Sequence, residues 1–141
     1  TIERIFIDKL FAAEAYTRTA EKEHRAFEAS KHIYDLAVIA SEPRIVSLLQ
    51  DKEQLAKLLK IRLTEEQNRL DGIPGVLPKD FIFFEKACTN THITKAYTTM
   101  QNQYVFIPDD RISLDDAQYQ LHCLQDQLNL NPAWSLTTIR E

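Results

Sequence analysis

Both glycines of this 141-residue chain, and two of its five prolines, fall within ten residues: Asp71-Gly-Ile-Pro-Gly-Val-Leu-Pro-Lys-Asp80. Glycine supplies the left-handed conformations that tight hairpins need. With none elsewhere, the sequence argues against a hairpin-rich β fold. Proline pushes the residue before it toward extended backbone. The 71–80 segment is therefore a loop or hinge between two helical halves. Ile73, Val76 and Leu77 make it apolar, so it either packs across a helix end or stays exposed for a partner.

Before that loop, apolar residues recur at helical intervals: Ile2, Ile5, Phe6, Leu10, Ala13, Tyr16, Ala20, Phe27, Tyr34 and Ala37. The spacing predicts one long helix capped by Thr1, or two helices kinked near Ser30. Glu14–Arg18 and Glu21–Arg25 stand at i,i+4 and can pair across one turn. Leu36-Ala-Val-Ile-Ala40 is apolar on all sides and is expected to be deeply buried. Ser41-Glu-Pro43 stops that helix, with Ser41 as the cap of the next one. Asp51 with Gln54 resembles a capping box, and Leu55, Leu58, Leu59, Leu63 and Leu70 carry a helix to about residue 70.

After the loop, Phe81-Ile-Phe-Phe84 opens a helix near residues 79–80, and Thr89-Asn-Thr91 breaks it. Ile93, Ala96, Tyr97, Met100 and Tyr104 mark another helix. Ser113 with Asp116 starts a third, lined by Leu114, Ala117, Leu121, Leu124 and Leu128. Asn131-Pro132 leads to a last short helix with Trp134, an anchor to the bundle, and Ile139. The expected fold is all-α: a single bundle-like domain of six or seven helices over residues 1–141. The chain opens at Thr1 in helical pattern without a methionine, as expected of a domain cut from a longer protein.

A net charge of −4 argues against general nucleic-acid binding, which needs a basic surface to displace counterions. The charge is uneven. Residues 44–62 hold five Lys/Arg against two Asp/Glu, whereas residues 104–141 hold two against six. Cys88 and Cys123 lack metal-ligand spacing and read as buried free thiols, which suits a reducing, cytoplasmic setting. No apolar run is long enough to span a bilayer, so membrane association is peripheral at most.

Chemistry-bearing clusters are sparse. His24, Glu28 and His32 share one helix face, but no paired ligand motif accompanies them, and no metal or cofactor is expected. Asp109-Asp110 and Asp115-Asp116 suit turns and helix starts better than a cation site. No catalytic constellation is visible, and no enzyme is expected. A cleft holding a buried, pKa-shifted histidine or carboxylate is what would restore that reading. The cations of the 52–69 region lead into the apolar loop, and Lys79, Lys86, His92 and Lys95 follow it. Cations beside apolar side chains are what a peripheral membrane binder needs.

Leu55-Ala-Lys-Leu-Leu-Lys-Ile-Arg62 and Gly72-Ile-Pro-Gly-Val-Leu-Pro78 carry a general resemblance. The glycine-poor helical chain resembles the C-terminal accessory modules of secreted bacterial effectors. The resemblance implies a non-enzymatic targeting domain that binds phosphoinositides on host membranes, from the host-cell cytosol. Lys57, Lys60, Arg62, Lys79 and Lys86 would then contact the anionic headgroup, and Ile73, Val76 and Leu77 would insert into the membrane. The alternative is a protein-interaction or oligomerisation domain, docking through the 71–80 loop or the Trp134 tail.

Overall fold

A computed structural model describes residues 1–135. Seven α-helices follow in order: α1 (Ile2–Thr17), α2 (Glu23–Ile39), α3 (Pro43–Leu49), α4 (Lys52–Glu66), α5 (Phe83–Thr89), α6 (Thr91–Tyr104) and α7 (Leu114–Leu130). Single 3-10 turns lie at Pro78–Asp80, Pro108–Asp110 and Pro132–Ser135. The described residues hold no strand, as the glycine argument requires. Among the described residues, no helix is long and apolar enough to cross a membrane.

The α1–α2 hairpin is the spine. α6 and α7 pack against α2, while α3, α4 and α5 pack against α1. Phe6, Leu10 and Phe11 of α1 and Ile33 and Leu36 of α2 are sealed inside. Leu55 and Leu59 of α4, Tyr97 and Met100 of α6, and Leu121, Leu124 and Leu128 of α7 close the core around them. Each set repeats at three or four residues, so each helix turns one apolar side inward.

The break between α1 and α2 lies at residues 18–22, not near Ser30. No glycine or proline marks it. Arg25 holds it instead: its Nε donates to Thr19 Oγ1 at 2.7 Å and its Nη2 to the Ala15 carbonyl at 3.4 Å. Arg25 is thereby drawn away from Glu21, while the Glu14–Arg18 pair forms at 2.7 Å. The cap of α3 is Glu42 rather than Ser41. Ser41 Oγ instead donates back to the Val38 carbonyl. Asp51, Asn90 and Ser113 cap α4, α6 and α7, each accepting from the amide three residues on. α4 ends at Glu66 rather than near Leu70, which is fully exposed.

Two buried glutamates fasten the segment that follows α4. Glu66 Oε2 accepts the Ile73 amide at 2.9 Å. Glu14 Oε1, arriving from α1, accepts the amides of Ile82 and Phe83 at 2.7 and 3.0 Å and so caps α5. Gly72 makes the first contact possible, since a β-carbon there would sit 2.4 Å from Glu66 Oε2. Gly75 adopts φ +83°, the left-handed turn that L side chains resist. The loop therefore packs: Ile73 and Pro78 are buried, and Val76 and Leu77 rest half-buried on the core.

Trp134 is also buried, edge-on to Phe81 with ring centroids 5.7 Å apart. It anchors the chain end against α4 and the Pro78–Asp80 turn. Ile139 lies outside the described residues. Val38 departs from expectation at 47% exposed, while Leu36 and Ala37 are buried and Ile39 and Ala40 half-buried, so this stretch is covered on one side only.

Candidate functional site

α1, α2 and α4 line an open, charged cleft of about 320 Å³. Ile5, Asp8, Lys9 and Ala12 recur at three or four residues and present one face of α1 to it. His32 enters from α2, Arg62 from α4 and Arg69 from just beyond α4.

Arg62 is 5% exposed, and its guanidinium stands 5.2 Å over the Phe11 ring. It donates through Nε to Glu66 at 2.7 Å and through Nη1 to Asp8. Its Nη2 lies 2.6 Å from Glu66. Glu66 also meets Arg69 Nε at 3.5 Å, and Asp8 receives Arg4 Nε at 2.9 Å. Lys9 Nζ donates to Asp35 Oδ2 at 2.8 Å, and the Tyr104 hydroxyl steadies the same carboxylate at 3.1 Å. A lysine offers three donors and an arginine five. Among the described residues, Lys9 therefore keeps two N–H groups and Arg62 two beyond these bonds, and Arg69 bonds through Nε alone.

His32 completes the cleft. Its Nδ1 is buried with no partner among the described residues. The Tyr16 ring stacks on it at 5.6 Å and 18°. Burial, helped by the charges of Lys9 and Lys31, lowers its pKa to about 4 against the opposing pull of Asp35 and Glu28. The imidazole is thus neutral at physiological pH. The ring lines the cleft beside Lys9, Arg62 and Arg69, whose donors can meet the anionic oxygens of a ligand. The cleft also meets the condition set for a catalytic reading: a buried, pKa-shifted histidine.

The residues expected to contact a headgroup divide. Arg62 sits in this cleft, but it is buried against carboxylates rather than displayed on the surface. Lys57 is exposed on the outer face of α4 and Lys60 is half-buried beside it. Lys79 is exposed on the Pro78–Asp80 turn, and Lys86 is half-buried on α5. None of the four lysines lines the Arg62 cleft. Ile73 leaves the insertion set because it is only 8% exposed and its amide is held by Glu66. Val76 and Leu77 are partly covered.

The remaining candidates resolve locally. Among the described residues no group of three His, Cys, Asp or Glu is arranged to hold a metal ion. Glu28 pairs with Lys31 at 2.9 Å, and His122 lies 3.6 Å from Asp126. Cys88 is exposed and Cys123 half-buried, contrary to the expectation of two buried thiols. Asp110 accepts the Tyr34 hydroxyl on its backbone carbonyl at 2.6 Å, and Asp116 gives its amide to the Ser113 cap. Lys9 and Asp35 drew no attention in the sequence. The available signal was isolation, for Asp35 is the one charge in Ile33-Tyr-Asp-Leu-Ala-Val-Ile-Ala40. No family model, curated protein or solved structure matches the chain.

Proposed function

We propose that this chain is a non-enzymatic helical binding domain that captures a phosphate-bearing anionic ligand in the α1–α2–α4 cleft. The observation that carries this reading is the convergence of Lys9, His32, Arg62 and Arg69 on one cleft. Asp8, Asp35 and Glu66 hold those cations in place, so recognition comes from fixed donor geometry rather than from net charge. The source of the phosphate is a phosphoinositide headgroup on a membrane, met peripherally, or a soluble phosphate ester. Lys57 and Lys60, on the outer face of α4, flank the first case as surface contacts.

The test pairs calorimetry with soluble inositol polyphosphate and co-sedimentation with neutral, phosphatidylserine and phosphoinositide vesicles. Arg69→Ala, at an exposed position, is expected to weaken binding roughly fivefold, about 1 kcal/mol per cation near an anionic group. Lys57→Glu with Lys60→Glu is expected to abolish vesicle binding while leaving soluble-ligand binding within about twofold, because solvent and salt screen exposed charges outside the cleft. Absence of binding to both ligand forms at low salt contradicts the reading.

A second reading rests on His32. A neutral imidazole on a cleft wall can accept a proton from a ligand hydroxyl and act as a general base. Turnover of a chromogenic phosphate ester that disappears in His32→Asn, with ligand binding retained, would support it. No turnover across the pH range leaves the binding reading alone.

A further inference from the structure

A second recess adjoins the α1–α2–α4 cleft. It holds about 160 Å³, is more enclosed than the cleft, and shares Ala12, Arg62 and Arg69 with it. That volume is about five times the share of a water molecule in the liquid, room for one phosphate group. Its other walls include Tyr16 of α1, Arg25 of α2 and Asp71 beyond α4. The Tyr16 ring touches both spaces: the Arg25 guanidinium stands 4.2 Å over it, and His32 of the cleft stacks on it.

Arg25 differs from the other arginines of the bundle. Arg4, Arg18, Arg44, Arg62 and Arg69 each pair with a carboxylate. Arg25 is half-buried and pairs with none among the described residues. Its bonds to Thr19 and the Ala15 carbonyl go to neutral oxygens and use two of its five donors. Glu66 does not supply the missing anion, because its oxygens are held by Arg62, Arg69 and the Ile73 amide. Asp71 lines the recess but is exposed and makes no ion pair among the described residues. A half-buried guanidinium with spare donors calls for an anion of matching geometry. Arg62 and Arg69 line both spaces, so a ligand spanning them meets that pair in common, with Lys9 on one side and Arg25 on the other.

We propose that the recess is a second phosphate subsite, so that cleft and recess together take a ligand bearing two phosphate groups, one facing Lys9 and the other Arg25. This rests on the phosphate-binding reading of the cleft and adds a requirement for the second phosphate. Calorimetry with inositol monophosphate and inositol bisphosphate measures the preference in solution. Co-sedimentation with vesicles of mono- and bisphosphorylated phosphatidylinositol measures it on a membrane, and a preference confined to the vesicles assigns the lipid headgroup as the source. The bisphosphate is expected to bind at least about tenfold more tightly than the monophosphate, the scale of added hydrogen bonds between charged groups. Arg25→Gln is expected to shrink that preference below about threefold and to keep monophosphate affinity within about twofold of wild type. Thr19→Val removes the turn contact but leaves the guanidinium, and is expected to keep the preference. Asp71→Asn, at an exposed position, is expected to raise bisphosphate affinity about threefold, the scale of an exposed charge pair, and reads the recess even if Arg25→Gln does not fold. Equal binding of the two ligands, a preference that survives Arg25→Gln or is lost equally in Thr19→Val, or no gain in Asp71→Asn overturns the second subsite and leaves the cleft reading standing. Failure of both ligands to bind at low salt overturns the cleft reading and the second subsite with it.

Discussion

Replacing Glu14 with alanine removes one acceptor shared by two backbone amides. The Phe83 amide is buried and the Ile82 amide partly so. Each buried N–H left without a partner costs about 1–3 kcal/mol. The partly buried one counts toward the lower end, and alanine no longer holds a charge out of water. The net expected loss is about 3 kcal/mol. For a domain of this size that lowers Tm by about 10 °C. Arg18, whose side chain is 35% exposed, rehydrates and adds little. Glu14→Gln keeps an oxygen for both amides and drops the charge. Burial raises the Glu14 pKa despite its three stabilising bonds, so the ionised form is disfavoured where it sits. Glu14→Gln is therefore expected to lose less than about 1 kcal/mol. A raised carboxylate pKa means that the native state binds its proton more tightly than the unfolded chain. Its contribution is full below the ordinary carboxylate range and is lost as pH rises through the native pKa. The stability of Glu14→Gln relative to wild type should thus climb with pH across that window. Urea denaturation followed by circular dichroism measures all three proteins. Glu14→Ala within about 1 kcal/mol of wild type, or Glu14→Gln as damaging as Glu14→Ala, refutes the capping role assigned here.

The two glycines should respond differently: Gly72→Ala drives a β-carbon into a carboxylate pinned by Arg62 and Ile73, costing about 1–3 kcal/mol. Gly75→Ala has open space and meets only its φ of +83°, about 1 kcal/mol, and thermal melts rank the two. His32 is neutral in the native state down to about pH 4 but charges near 6.5 when unfolded, so its contribution is present above 6.5 and lost as pH falls toward 4. That loss is at most about 3 kcal/mol, and His32→Asn should flatten it in urea titrations at both ends of the window. Trp134→Ala should destabilise by about 3–5 kcal/mol in the same assay, because the ring fills core space against Phe81.

The all-α class was legible in the confinement of both glycines to one loop. Helix starts with a side-chain acceptor, Asp51 and Ser113, stood where local chemistry put them. The α1–α2 turn was hidden because its stabiliser, Arg25, reaches back across the turn rather than along its own helix. Sequence proximity likewise misplaced Arg62. Grouped with neighbouring lysines as a headgroup contact, it has instead the phase of Leu55, Leu59 and Leu63 on α4. Its burial depends on Asp8, fifty-four residues away, and on Glu66 one turn on. The 71–80 loop, with its apolar residues, fits either packing across a helix end or exposure to a partner. Its packing is decided by Glu66 and Glu14, two carboxylates whose partners are backbone amides and leave no trace in side-chain pattern.

A ¹H–¹⁵N correlation titration with soluble inositol polyphosphate tests the cleft most directly. Binding there predicts that the largest shifts fall on Lys9, His32, Arg62 and Arg69, with the His32 ring nitrogens moving together with the backbone. Shifts confined to Lys57, Lys60, Lys79 and Lys86, or no shifts at low salt, would contradict it.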